Sequence, residues 1–272
     1  MKYPFSRILL ATEFTEFDSG AERLAFAMAK RCSVPLRVVV PLLSYSEYEA
    51  ELPEMALKAE QIAGAKIEAL RKLADSSGID LDVRVRRGSE IHTEIVNEAR
   101  ETQTDLIVIR RRGKPSFLAR LMVGEMVSKV IRDTSCSVML VPRAAEFWSN
   151  RILAAVGDTP AASLIAKTAG TIAGICGLPL TVVSVASDAG FLPKFENIKN
   201  LNVMVASETC DKVSGVVRVG KAVEQIMSVA KESESDLVVI GRQRYHLLPF
   251  GNKGLMQHIA GNLNVPTLIM AI

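Results

Sequence analysis

The chain has 272 residues and a mass of 29.6 kDa, enough for two ordinary domains or one large one. Hydrophobic residues make up 49% and charged residues 23%, which suits a globular protein with a sizeable core and excludes disordered, collagen-like and low-complexity classes. A net charge of +3 and an aromatic content of 5% supply neither the basic footprint nor the stacking platforms of a nucleic-acid binder.

The opening segment, MKYPFSRILLATEF, has a short apolar run interrupted by Glu13 and lacks the form of a signal peptide. The expectation is a cytoplasmic protein. Short β-branched runs predict strands near 6–12, 36–42, 81–87, 105–110 and 137–142. Between them, segments of helical period lie near 18–32, 54–77, 89–101 and 123–133. Met55, Ala59, Ile62, Ala63, Leu70, Leu73 and Ala74 trace an apolar stripe on the second of these, with Ile67 at its edge. Gly88 followed by Ser89, Glu90 and Ile91 reads as a helix start with a polar cap and an acidic first turn. Runs such as Leu106-Ile107-Val108-Ile109, apolar throughout, belong in a sheet covered on both faces. Strands and helices alternating at these lengths give a doubly wound parallel sheet.

The second half repeats the first. Arg7-Ile8-Leu9-Leu10-Ala11 returns as Arg151-Ile152-Leu153-Ala154-Ala155, and Pro35-Leu36-Arg37-Val38-Val39 as Pro179-Leu180-Thr181-Val182-Val183, both at an offset of 144. Gly88 returns as Gly220, an offset of 132, so the second copy is 12 residues shorter between its second and third strands. Asp105-Leu106-Ile107-Val108-Ile109 returns as Asp236-Leu237-Val238-Val239-Ile240. The expected organisation is a first domain over 1–143, a linker over 144–150 holding the only Trp, and a second domain over 151–272 shortened at 186–211. Pro193, Asn197, Asn200 and Asn202 interrupt the pattern of that segment, which predicts a shorter helix with a loop. Reduced helix cover there predicts an apolar patch or groove around Phe191, Leu192 and Phe195, fit for an apolar ligand or a partner protein. Thr168 to Ser187 carries no charge, but Gly174, Gly177 and Pro179 break it into a helix, a turn and a strand, so no membrane span is expected.

An opening ILLATE strand, a Gly after the third strand, a DLIVI strand with a Gly-containing loop, and a short helix before a final strand resemble the universal stress protein family, in its tandem form with two domains per chain. The resemblance implies two five-stranded sheets of the adenine-nucleotide α-hydrolase or Rossmann-like kind. It also implies an intrachain pseudo-dimer in which 137–142 pairs with 266–271, with further dimerisation or a protein partner through another surface. Family members that bind ATP carry an acid at the end of the first strand and a loop of the form G-x2-G-x9-G-[ST] after the fourth. Glycine backbone N–H groups, a hydroxyl and a helix N-terminus there hold phosphates.

By that resemblance the first-domain candidates are Ala11, Thr12, Glu13, Pro41, Arg110, Gly113, Gly124, Glu125 and Val127. The pattern is damaged. Glu13 replaces the customary Asp, and Arg110 stands at the first loop glycine while Gly113 keeps the second. Gly124 follows after ten residues rather than nine, and Glu125 and Val127 sit where small hydroxyl residues are expected. Arg110, Arg111, Arg112 and Lys114 are placed either to neutralise a bound anion or to pair with Glu125 and close the site; a solvated, paired loop is the favoured reading. The weaker second-domain equivalents are Val156, Gly157, Val185, Gly241 and Gly254, with Asp158 one residue past the acidic position and Arg244 replacing the second glycine.

No GxSxG elbow, Walker loop or GxGxxG is present, and no catalytic set is identified. Cys32, Cys136, Cys176 and Cys210 are scattered and form no CxxC pair, so neither a disulfide framework nor a metal site is expected. His92 and His258 read as structural or surface residues, Cys136 and Cys176 as small core residues, and Asp18 as a helix cap. The leading expectation is therefore a non-catalytic stress-response protein, regulatory or scaffolding, with degenerate nucleotide loops. The alternative is an ATP- or AMP-binding switch using the first domain, with Mg as the accompanying ion. An enzyme of the wider nucleotide-binding superfamily ranks third.

Overall fold

The computed structural model describes residues 2–44, 53–111, 124–242 and 263–271. The chain divides into two compact units, one built from Phe5–Arg112 with Gly124–Glu146 and the other chiefly from Phe147 onward. In the N-terminal unit the elements are β1 (Ile8–Ala11), α1 (Ser19–Cys32), β2 (Leu36–Leu43), α2 (Pro53–Ser77), β3 (Leu81–Gly88), α3 (Ile91–Glu101), β4 (Leu106–Arg110), α4 (Glu125–Asp133) and β5 (Ser137–Val141), each within two residues of its expected bounds. A 3-10 turn, Glu16–Asp18, precedes α1. The strands are parallel in the order β3-β2-β1-β4-β5.

The core explains why these segments are strands. Ile8, Leu9, Leu10, Leu106, Ile107 and Val108 are at most 1% exposed, because helices lie on both sheet faces. Each such side chain stabilises the fold by about 1.5–3 kcal/mol. On α1 the buried face is Ala21, Leu24, Ala25 and Met28, at helical spacing. Along α2 the buried residues include Ala63, Leu70 and Ala74, whereas Ile62 and Leu73 are exposed, so the apolar stripe is narrower than the sequence pattern suggests. Pro41 lies in β2, an interior strand, without costing a ladder bond. Val39, two residues earlier, turns its carbonyl to Thr12, so position 41 faces the same side, past the end of β1.

The C-terminal unit repeats the plan with β6 (Ile152–Ala155), α5 (Ala162–Cys176), β7 (Leu180–Ala186), α6 (Leu192–Ser207), β8 (Val213–Val219), α7 (Ala222–Glu232), β9 (Leu237–Gly241) and β10 (Thr267–Met270). Its strands are parallel in the order β8-β7-β6-β9-β10. The uncharged Thr168–Ser187 stretch resolves into the end of α5, a left-handed Gly177 cap at φ 67° and β7. No helix among the described residues is long and apolar enough to cross a membrane.

The 186–211 region departs from expectation. It holds a continuous 16-residue helix rather than a short helix with a loop. Pro193 falls in the first turn, where its missing N–H costs nothing. Asn202 is buried and its side-chain amide donates to the Ile198 carbonyl at 2.8 Å. The helix packs closely on α5: a Cβ on Gly170 would lie 2.7 Å from the Ala206 carbonyl oxygen. The expected loss of helix cover is therefore not found, but apolar exposure is: Phe191, Leu201 and Met204 are exposed, and Leu192 and Phe195 are half-buried.

Candidate functional site

In a doubly wound sheet a ligand crevice forms where neighbouring strands diverge in chain order, outside their carboxyl ends. In the N-terminal unit that point lies between β1 and β4, whose register pairs Ala11 with Ile109. The residues just past this pair are Thr12 to Asp18 on one side and Arg110 on the other.

The β1 side is a tight turn. The Thr12 N–H donates to Val39 and its hydroxyl accepts from the Phe14 N–H at 3.0 Å, while Phe14 sits in the left-handed region at φ 56°. That conformation is uncommon for a bulky residue and is held here by burial of the ring. The Thr12 hydroxyl also donates to Glu22 of α1 at 2.8 Å. Asp18 closes the following turn by accepting from the Thr15 N–H and hydroxyl at 2.7 and 2.8 Å.

Arg110 ends β4 and is 2% exposed. Its guanidinium donates to Glu13 at 2.8 Å and to the Thr15 hydroxyl, and its Nε lies 3.2 Å from the Asp18 carboxylate as a charge contact. Asp18 is itself 1% exposed. Burial pushes the Asp18 carboxyl above its ordinary range, offset in part by Arg110 and the Thr15 hydrogen bonds. Burial likewise raises Glu22, offset by the Thr12 hydrogen bond. Desolvation lowers Arg111, the next residue along.

The structure thus brings Ala11, Thr12, Glu13 and Arg110 together. Arg110 takes Glu13 as its partner, not Glu125. Glu125 is exposed at the start of α4 and pairs with Lys129 at 3.3 Å. Gly124 caps that helix, and Val127 is fully buried, so its side chain packs in the core. Gly113 lies outside the described residues, as do Arg112 and Lys114. Sequence reasoning missed Thr15 and Glu22 as members of this cluster, and assigned Asp18 to capping alone.

The equivalent place in the C-terminal unit, between β6 and β9, has another character. Val156 is buried, Val185 and Gly241 are half-buried, and Gly157 carries no carboxylate and has open space at its Cβ position. Asp158 is exposed and paired with Lys194 of α6. Gly254, Arg244 and His258 fall outside the described residues. Elsewhere, His92 lies 3.4 Å from Glu90 and 3.8 Å from Asp133, acidic neighbours that its sequence context did not suggest. Among the described residues no cluster of His, Cys, Asp and Glu is arranged to hold a metal ion.

Similarity to known proteins bears on the same architecture. A universal stress protein from Archaeoglobus fulgidus superposes with a TM-score of 0.77 at 16% identity, covering 98% of this chain and 97% of its own. A functionally unknown Pseudomonas aeruginosa protein reaches 0.71 at 17% identity, covering 98% and 92%. A further P. aeruginosa structure, described as a putative universal stress protein, reaches 0.72 at 17% identity, covering 98% and 93%. These likenesses establish the fold. No curated protein matches the chain. The model of the universal stress protein family matches residues 4–142, half of the chain, and on that match the chain belongs to the universal stress protein family.

Proposed function

We propose that this chain is a non-catalytic universal stress protein with a regulatory or scaffolding role, and that its N-terminal crevice receives no adenine nucleotide. The observation that carries this reading is the buried Arg110 guanidinium, held by Glu13, Thr15 and Asp18. Arginine at the first loop-glycine position places a side chain where backbone would have to approach phosphate. Its charge is answered inside the chain, leaving none for an anion, and one carboxylate oxygen of Glu13 is taken up by Arg110. Glu125 at the start of α4 adds a negative charge where a phosphate needs donors. These residues do not fit ATP or AMP with Mg.

Thermal unfolding with and without millimolar Mg-ATP or AMP tests the reading. A ligand at a hundred times its dissociation constant adds about 2.7 kcal/mol, a shift of roughly 5–10 °C at the 2–4 °C per kcal/mol of a chain of this size. The expected result is no shift. A reproducible rise that disappears on Glu13→Ala would establish the nucleotide switch instead.

A further inference from the structure

β8 is the edge strand of the C-terminal unit and pairs with β7. The Lys212 carbonyl accepts from the Leu180 N–H at 2.8 Å, and the Gly220 N–H donates to the Ala186 carbonyl at 2.9 Å. In a parallel ladder, a residue turns its N–H and C=O to the same neighbour, and alternate residues turn to opposite sides. The even positions of β8 therefore bond to β7. Val213, Gly215, Val217 and Val219 turn their main-chain groups outward.

Such an edge is a template for another strand unless charge, proline or a bulge blunts it. The corresponding edge of the N-terminal unit, β3, is blunted. It carries Asp82, Arg84, Arg86 and Arg87, all engaged in ion pairs. In β8 the one charged residue is Arg218, paired with Glu232 of α7.

We propose that β8 is the docking edge for a second copy of this chain, joined antiparallel about a twofold axis through Val216. That axis gives the longest overlap in which outward positions meet: Val213 opposite Val219, and Gly215 opposite Val217, each pair exchanging two hydrogen bonds. Ser214, which is exposed, then stands across from Arg218 of the second copy, and no like charges oppose. The same operation on β3 would set Arg84 against its own copy. The edge is self-complementary in hydrogen bonding and opposes no like charges, as an isologous dimer requires.

Sedimentation velocity of the full chain over a concentration series tests this, with far-ultraviolet circular dichroism confirming that each variant is folded. The wild type should dimerise reversibly. Ser214→Lys, which opposes Arg218, should raise the dimer dissociation constant roughly twofold to thirtyfold, and Ser214→Glu should lower it by a similar factor. Val217→Pro should abolish the dimer by deleting an outward N–H that β7 does not use. A chain that is monomeric at every concentration would overturn the proposal. So would a dimer that none of the three substitutions moves, or one that both Ser214 substitutions weaken alike.

Discussion

Replacing Arg110 with Met removes the guanidinium from a carboxylate that is 1% exposed and leaves Asp18 with its Thr15 hydrogen bonds. Stripping one partner from a buried pair costs about 3–5 kcal/mol, because the remaining charge is uncompensated. Asp18→Asn should cost less, about 1–3 kcal/mol, since Arg110 keeps Glu13 and Thr15 and the Asn oxygen still accepts from Thr15. In the double variant no buried carboxylate is orphaned, so its cost should fall short of the sum by about 1–3 kcal/mol. Urea unfolding followed by circular dichroism measures all four corners of the cycle. Acid adds a second check. The folded pKa of Asp18 is raised, so its contribution is present below the unfolded value and lost as pH rises through the folded one. Without Arg110 that pKa rises further, so the Arg110→Met deficit should shrink on acidification towards the carboxylate range. Additivity within about 0.5 kcal/mol, with a deficit that does not change with pH, would refute the claim that these groups form one buried unit.

Glu22 is also raised by burial, and Gln preserves an oxygen to accept from Thr12. Glu22→Gln should therefore stabilise the protein more at neutral than at mildly acidic pH in paired thermal melts, and an equal effect at both would be the contrary result. Gly20 and Gly64 should respond oppositely to Ala. A Cβ at Gly20 would lie 2.2 Å from the Pro142 carbonyl oxygen, so the change should cost about 1–3 kcal/mol by overpacking. Gly64, inside α2 with nothing within 4 Å, should gain about 0.5–1 kcal/mol by helix propensity, and denaturant midpoints decide both signs.

Element positions were legible because buried parallel strands have an unmistakable pattern, and the internal repeat placed the second set against the first. The 186–211 segment was misread because Pro and Asn count as breakers only by local propensity. Here Pro193 starts the helix, and packing on α5 holds Asn202 inside it. The Arg110–Glu13 pair spans 97 residues, so no local motif announces it. It follows from strand order: once β1 and β4 are neighbours, the residues just past their ends must meet. Read along the chain, the next acid after the basic run is Glu125, whereas the acid that meets Arg110 follows the neighbouring strand. His92 shows the same limit, since Asp133 reaches it from the end of α4.

The most direct measurement is a calorimetric titration of the purified wild-type chain with Mg-ATP at millimolar concentration. The account predicts no saturable heat. Stoichiometric binding of one nucleotide per chain, weakened by Glu13→Ala, would contradict it by showing that the crevice closed by Arg110 opens to a ligand.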